Sequence, residues 1–107
     1  MKRPLKFNIL GKSWTIEVLT KKRYKRKHGK DSVGITTPDK RKIEISPYGF
    51  DRETVIHELV HAYIAEMCLH SCDLDDDNLE EVFAELMSKR GFELLALSDD
   101  LYWKLNV

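Results

Sequence analysis

The stretch that decides the fold reads Asp51-Arg52-Glu53-Thr54-Val55-Ile56-His57-Glu58-Leu59-Val60-His61-Ala62-Tyr63-Ile64-Ala65-Glu66-Met67. Ile56, Leu59, Val60, Tyr63 and Met67 recur at three and four residues, the period of a helix with one buried stripe. Asp51 suits the N-cap and Glu53 places negative charge in the first turn, where the backbone dipole favours it, so the helix is expected to run to about His70. His57 and His61 stand four residues apart, on one face and about 6 Å from each other, with Glu58 beside them. Two imidazoles at that spacing can reach one divalent ion, and the carboxylate can take a proton from water bound to it. With the histidine and glutamate content of this chain, chance supplies such an HExxH pattern about 0.01 times.

Upstream of this helix the period is two. Leu5-Lys6-Phe7-Asn8-Ile9-Leu10 and Trp14-Thr15-Ile16-Glu17-Val18-Leu19 flank Gly11-Lys12 and predict a hairpin. Val33–Thr37 and Arg41–Ile45 flank Pro38-Asp39-Lys40 and predict a second one. Between the hairpins, residues 21–30 hold seven Lys or Arg, too polar for core, and read as a helical turn ending at Gly29 or as a loop.

Downstream, Asp73-Leu74-Asp75-Asp76-Asp77 reads as a loop and the cap of a second helix, with a stripe at Leu79, Val82, Phe83, Leu86 and Met87. That helix can continue past Gly91 to Leu97, followed by a short amphipathic tail, Leu101–Leu105, whose aromatics cover the core. A catalytic zinc needs a third protein ligand and one position left for water. His70 lies about 13 Å along the helix from His61, which leaves Glu80, Glu81 and Glu85. Glu81 and Glu85 share a face with Ala84, Ser88, Phe92 and Leu95, and carboxylates on a buried face need a cation or a donor. Glu81 is accordingly expected as the third ligand, with Glu80 the alternative. Glu85 is expected to accept a histidine N–H and fix the ring. Tyr48, Tyr63, Tyr102, His28 and His70 are the candidate donors to a developing oxyanion.

The 107 residues form a single expected domain, 1–107, of α+β class: a small N-terminal antiparallel sheet packed on the histidine helix and on a second, glutamate-bearing helix. No apolar stretch is long enough to span a membrane, and none follows Met1-Lys2-Arg3-Pro4 as a secretory signal would require. Two cysteines without such a signal read as reduced thiols in the cytoplasm, and the Cys68-Leu69-His70-Ser71-Cys72 cluster reads as packing rather than as a second metal site. The formal net charge of zero hides a balance of +10 over residues 1–50 and −10 over 51–107. The halves are expected to neutralise each other, with nucleic-acid binding through the basic run a less favoured partner.

His57-Glu58-Leu59-Val60-His61 followed by Glu81 and Glu85 resembles the gluzincin branch of zinc metallopeptidases, and the short chain is similar to minigluzincins and small phage-encoded metallopeptidase-like proteins. The resemblance implies one Zn2+ held by His57, His61 and Glu81, with Glu58 as general base, and hydrolysis of a peptide or protein substrate. It also implies that the strand before the histidine helix, Lys42–Ser46, is the sheet edge along which an extended substrate pairs. The alternative reading is a non-catalytic, zinc-stabilised module that binds nucleic acid or a protein through its basic half.

Overall fold

Alternation in the first half becomes four strands: β1 (Leu5–Ile9), β2 (Lys12–Val18), β3 (Gly34–Thr37) and β4 (Lys42–Ile45). Three helices accompany them, α1 (Lys21–His28), α2 (Arg52–Cys68) and α3 (Asp76–Leu105). The computed structural model describes residues 4–30, 32–68 and 76–106. The first hairpin turns on Leu10-Gly11, one residue earlier than expected, with φ of 51° and 79°. A two-residue turn with both φ positive matches the twist of the strands it joins. The second hairpin turns through a 3-10 segment at Pro38–Lys40.

The α+β class is observed, but the sheet is mixed rather than antiparallel. Its order is β1-β2-β4-β3, and β2 and β4 run parallel. After β2 the chain crosses the sheet through α1, descends as β3 and returns as β4 into the slot beside β2. Parallel neighbours need such a crossover of a dozen residues or more. The run at 21–30 is therefore a helix, capped by Thr20, whose Oγ1 accepts from Arg23 N at 3.2 Å, and ended by Gly29 at φ 79°. A second consequence corrects the expected substrate edge: β4 is interior, between β2 and β3, and the edge strands are β3 and β1.

Cross-strand register fixes the two faces. Phe7, Ile9, Trp14, Ile16, Ile43 and Ile45 share one face and are buried with Val55, Leu59, Ala62 and Tyr63 of α2 and with Leu86, Leu94, Leu101 and Leu105 of α3. On the opposite face α1 buries Tyr24, and the buried Glu44 accepts from Lys27 Nζ at 2.8 Å and pairs with His28 Nε2 at 2.9 Å. Between sheet and α2, the buried Glu66 Oε1 accepts from Trp14 Nε1 at 2.8 Å and Arg41 Nε at 2.6 Å. Arg41–Glu66 is the ion pair that joins the basic and acidic halves among the described residues. The other described pairs lie within one half or the other.

Asp51 caps α2 as expected, its Oδ1 accepting from Thr54 N at 2.7 Å. Helix α3 is one element of 30 residues that absorbs the expected tail. Its buried positions, among the described side chains, are Leu86, Gly91, Leu94, Ser98, Leu101 and Leu105, whereas Phe83 and Met87 of the expected stripe stand exposed. Tyr102 packs on Phe50, ring centroids 5.1 Å apart, while Trp103 remains half exposed under Arg52. Among the described residues no helix is long and apolar enough to cross a membrane.

Burial pushes the Glu44 and Glu66 carboxyls up, but the bonds from Lys27 and His28 and from Arg41 and Trp14 outweigh it and hold both below the ordinary 4.5. A carboxyl lowered in the folded state stabilises the fold above its unfolded value, and that contribution is lost as pH falls through the folded value. Thermal melts should therefore be nearly flat between pH 7 and about 5 and decline below that. Glu66→Gln should shallow the decline, and an identical acid limb would contradict the assignment. Arg41→Ala, which leaves the buried carboxylate with the indole alone, should cost about 1–3 kcal/mol in denaturant unfolding.

Candidate functional site

Position along α2 decides which way each group of the motif points. Successive residues on a helix are turned by about 100°, so His57 and His61 share the solvent face while Glu58 turns toward the sheet. His57 and His61 are both exposed, and their Nε2 atoms approach to 3.2 Å with the rings at 76°. Two imidazoles on one zinc, at about 2.0–2.1 Å each in a tetrahedral arrangement, hold their nitrogens about 3.3 Å apart. The pair has the spacing that a shared ion requires.

Glu58 is 5% exposed, rare for a carboxylate in a region with no cationic side chain on it. Its Oε1 accepts from Thr36 Oγ1 at 2.7 Å, and Oε2 has no hydrogen-bond partner among the described residues. Thr36 pairs with Ile43 and Gly34 with Ile45, which puts both β3 positions on the helix-facing side of the sheet. A Cβ at Gly34 would stand 2.9 Å from Glu58 Oε2 and 3.0 Å from its Cδ and Cγ. The missing side chain at Gly34 is what lets the carboxylate lie under the edge strand. Neither Gly34 nor Thr36 was among the expected site residues, although a glycine inside a strand pattern signals close approach by another group.

Along β3 two hollows adjoin over this carboxylate. One, of about 410 Å³, reaches from Glu53, Thr54 and His57 to Ser32 and Val33. The other, of about 310 Å³, reaches from His57 and His61 to Ile35 and Pro38. Both share Gly34, His57 and Glu58, so they form one cleft between the sheet edge and the exposed face of α2.

No third donor among the described residues joins this pair. Among the described residues no three His, Cys, Asp or Glu side chains converge as a group able to hold a metal. Glu80 and Glu81 are exposed on α3. Tyr63 Oη donates to Glu93 Oε2 at 2.9 Å and Arg52 meets Asp99 at 3.2 Å, so α3 runs back along α2. Glu81, twelve residues before Glu93, lies about 18 Å along the axis from that contact, past the end of α2. The face that carries Glu81, Ala84, Glu85, Ser88, Phe92 and Leu95 was expected to be buried and is exposed throughout. It lies roughly opposite the stripe formed by Leu86, Leu94 and Leu101. Glu85 Oε1 accepts from Lys89 Nζ at 2.8 Å, which holds its carboxyl below the usual range, and it is not paired with a histidine.

Of the candidate oxyanion donors, Tyr63 is buried and committed to Glu93, with burial and that carboxylate pushing its hydroxyl above the usual range. His28 is committed to Glu44, and Tyr102 to Phe50. Tyr48 is exposed beside Lys21 rather than in the cleft. His70, Cys72, the acidic segment 73–75 that was expected to be a loop, and the side chains of Cys68, Asp76, Asp77 and Leu79 lie outside the described residues. No protein-family model, curated protein or solved structure matches the chain.

Thr36→Val keeps the shape of β3 and removes the hydroxyl that Glu58 accepts from. It should lower unfolding stability by about 1–3 kcal/mol, with Thr36→Ser recovering most of the loss. Equal stability of the threonine and valine forms in denaturant titration would show that this bond does not hold the carboxylate.

Proposed function

We propose that the chain is a zinc-dependent peptidase of gluzincin type, with His57 and His61 as metal ligands and Glu58 as general base. The observation that carries the reading is the 3.2 Å approach of the two Nε2 atoms on an exposed face, next to a buried glutamate that reaches the same cleft. A bound zinc would lower the pKa of its water to about 7 and polarise a carbonyl. Thr36 keeps Glu58 Oε1 in place, which leaves Oε2 to accept a proton and later to return it to the leaving amine. The free edge of β3 offers unpaired main-chain groups to an extended peptide, and strand addition there would draw that peptide over Glu58.

Glu81 is the proposed third donor and Glu80 its alternative. Either reaches the histidines only if metal binding draws the first turns of α3 toward them, a coupling of metal and fold that small metallo-domains use. The rival module reading keeps only part of the basic helix for a partner, since Arg23 lies 3.9 Å from Glu17 and Lys27 and His28 are held on Glu44, while Lys21, Lys22, Lys25 and Arg26 meet no carboxylate among the described residues.

Metal analysis of purified chains, together with hydrolysis of an unfolded protein substrate, tests the proposal. Wild type should bind one zinc and His57→Ala none, while Glu81→Ala should lose zinc if that carboxylate is the third donor. Glu58→Gln should keep the metal and lose about 10²–10⁴-fold in rate. Equal zinc in wild type and His57→Ala overturns the ligand pair, and unchanged hydrolysis by Glu58→Gln overturns the general base.

A further inference from the structure

The cleft does not end at Ser32 and Val33. The hollow at the Ser32–Val33 end adjoins another of about 380 Å³, and Ser32 and Val33 are walls of both. The second hollow is lined by Lys21, Lys25 and Lys30. Lys21 and Lys25 are one turn apart on α1, and Lys30 follows its glycine cap. None of the three meets a carboxylate among the described residues, unlike Lys27 of the same helix, which is held on Glu44. The surrounding groups are polar and fixed: Tyr24 Oη and Ser32 Oγ are hydrogen bonded at 2.9 Å, and the exposed Tyr48 ring lies 5.4 Å from Lys21 Nζ. Three ammonium groups with no carboxylate partner among the described residues surround one hollow, continuous with a cleft beside an open sheet edge, and their field favours an anion there.

We infer that this pocket is a specificity subsite that takes a glutamate or aspartate side chain of the bound peptide. The inference rests on the reading of the cleft as a peptide site. At about 3.3 Å per residue, the step from Gly34, which covers Glu58, to Ser32 places that acidic residue two or three positions from the bond to be cut. A peptide is favoured over a nucleic acid because the pocket opens into the cleft along β3, whereas the strand edge has main-chain donors and acceptors to offer rather than further cations.

The test uses the zinc-loaded full chain carrying Glu58→Gln, so that binding is read without turnover. Fluorescence anisotropy compares a labelled neutral peptide containing one Glu-Asp pair with its Gln-Asn counterpart. The acidic peptide should bind about 5-fold more tightly or better, and Lys21→Gln/Lys25→Gln/Lys30→Gln should reduce that preference below about 2-fold. Lys6→Gln/Lys22→Gln/Arg26→Gln removes the same charge from exposed positions outside the pocket and should leave the preference intact. No preference, or equal loss in both triple variants, overturns the subsite. A single-stranded oligonucleotide that binds more tightly than the acidic peptide, and loses its affinity in the pocket variant, also overturns it, in favour of a phosphate site. If the wild type hydrolyses nothing while the acidic preference and its pattern of loss persist, the peptidase reading fails and the acidic-peptide subsite stands.

Discussion

A carboxylate tucked under the open edge of a sheet is the constraint around which the site is arranged. Burying a charged group costs free energy unless donors compensate, and Glu58 has one side-chain donor, Thr36 Oγ1. The arrangement depends on Gly34, since any side chain there would meet the carboxylate. It depends equally on the crossover through α1, which sends β3 rather than β4 to the edge. A glutamate placed there for stability alone would be a poor choice: an apolar residue would fill the same space without the desolvation cost. On the proposed reading, the exposed pair of imidazoles beside it gives that cost a chemical purpose.

Much of this was legible in the sequence because it is local. The HExxH spacing, the Asp51 cap and the 3.6-residue period each involve neighbours within a turn, so one helix of known length and facing followed from the residues. The two hairpins were legible for the same reason. Topology was not, because the parallel pairing of β2 with β4 is a long-range choice made by the crossover, and alternation looks alike in either direction. That is why Lys42–Ser46 was expected at an edge that β3 occupies instead.

The second helix shows a different limit. Its sequence carries apolar residues on more than one face, and helical geometry alone assigned burial to the face of Phe92 and Leu95. Packing chose Leu86, Leu94, Leu101 and Leu105 instead, the set that meets Tyr63, Leu59 and the sheet. Glu81 and Glu85 were assigned roles on the wrong premise about that face; Glu85 is held on Lys89, and the part proposed for Glu81 now rests on the effect of a metal on α3. Among the described residues ion pairs form mostly inside each half, with Arg41–Glu66 joining the two, and Lys21, Lys25 and Lys30 meet no carboxylate beside the cleft.

The most direct test of the central claim is zinc K-edge absorption spectroscopy of the zinc-loaded chain. Two imidazole nitrogens at about 2.0–2.1 Å, with the remaining positions filled by oxygen, are the predicted coordination. Sulfur scattering at about 2.3 Å, or a shell without imidazole, would place the metal elsewhere and contradict the account.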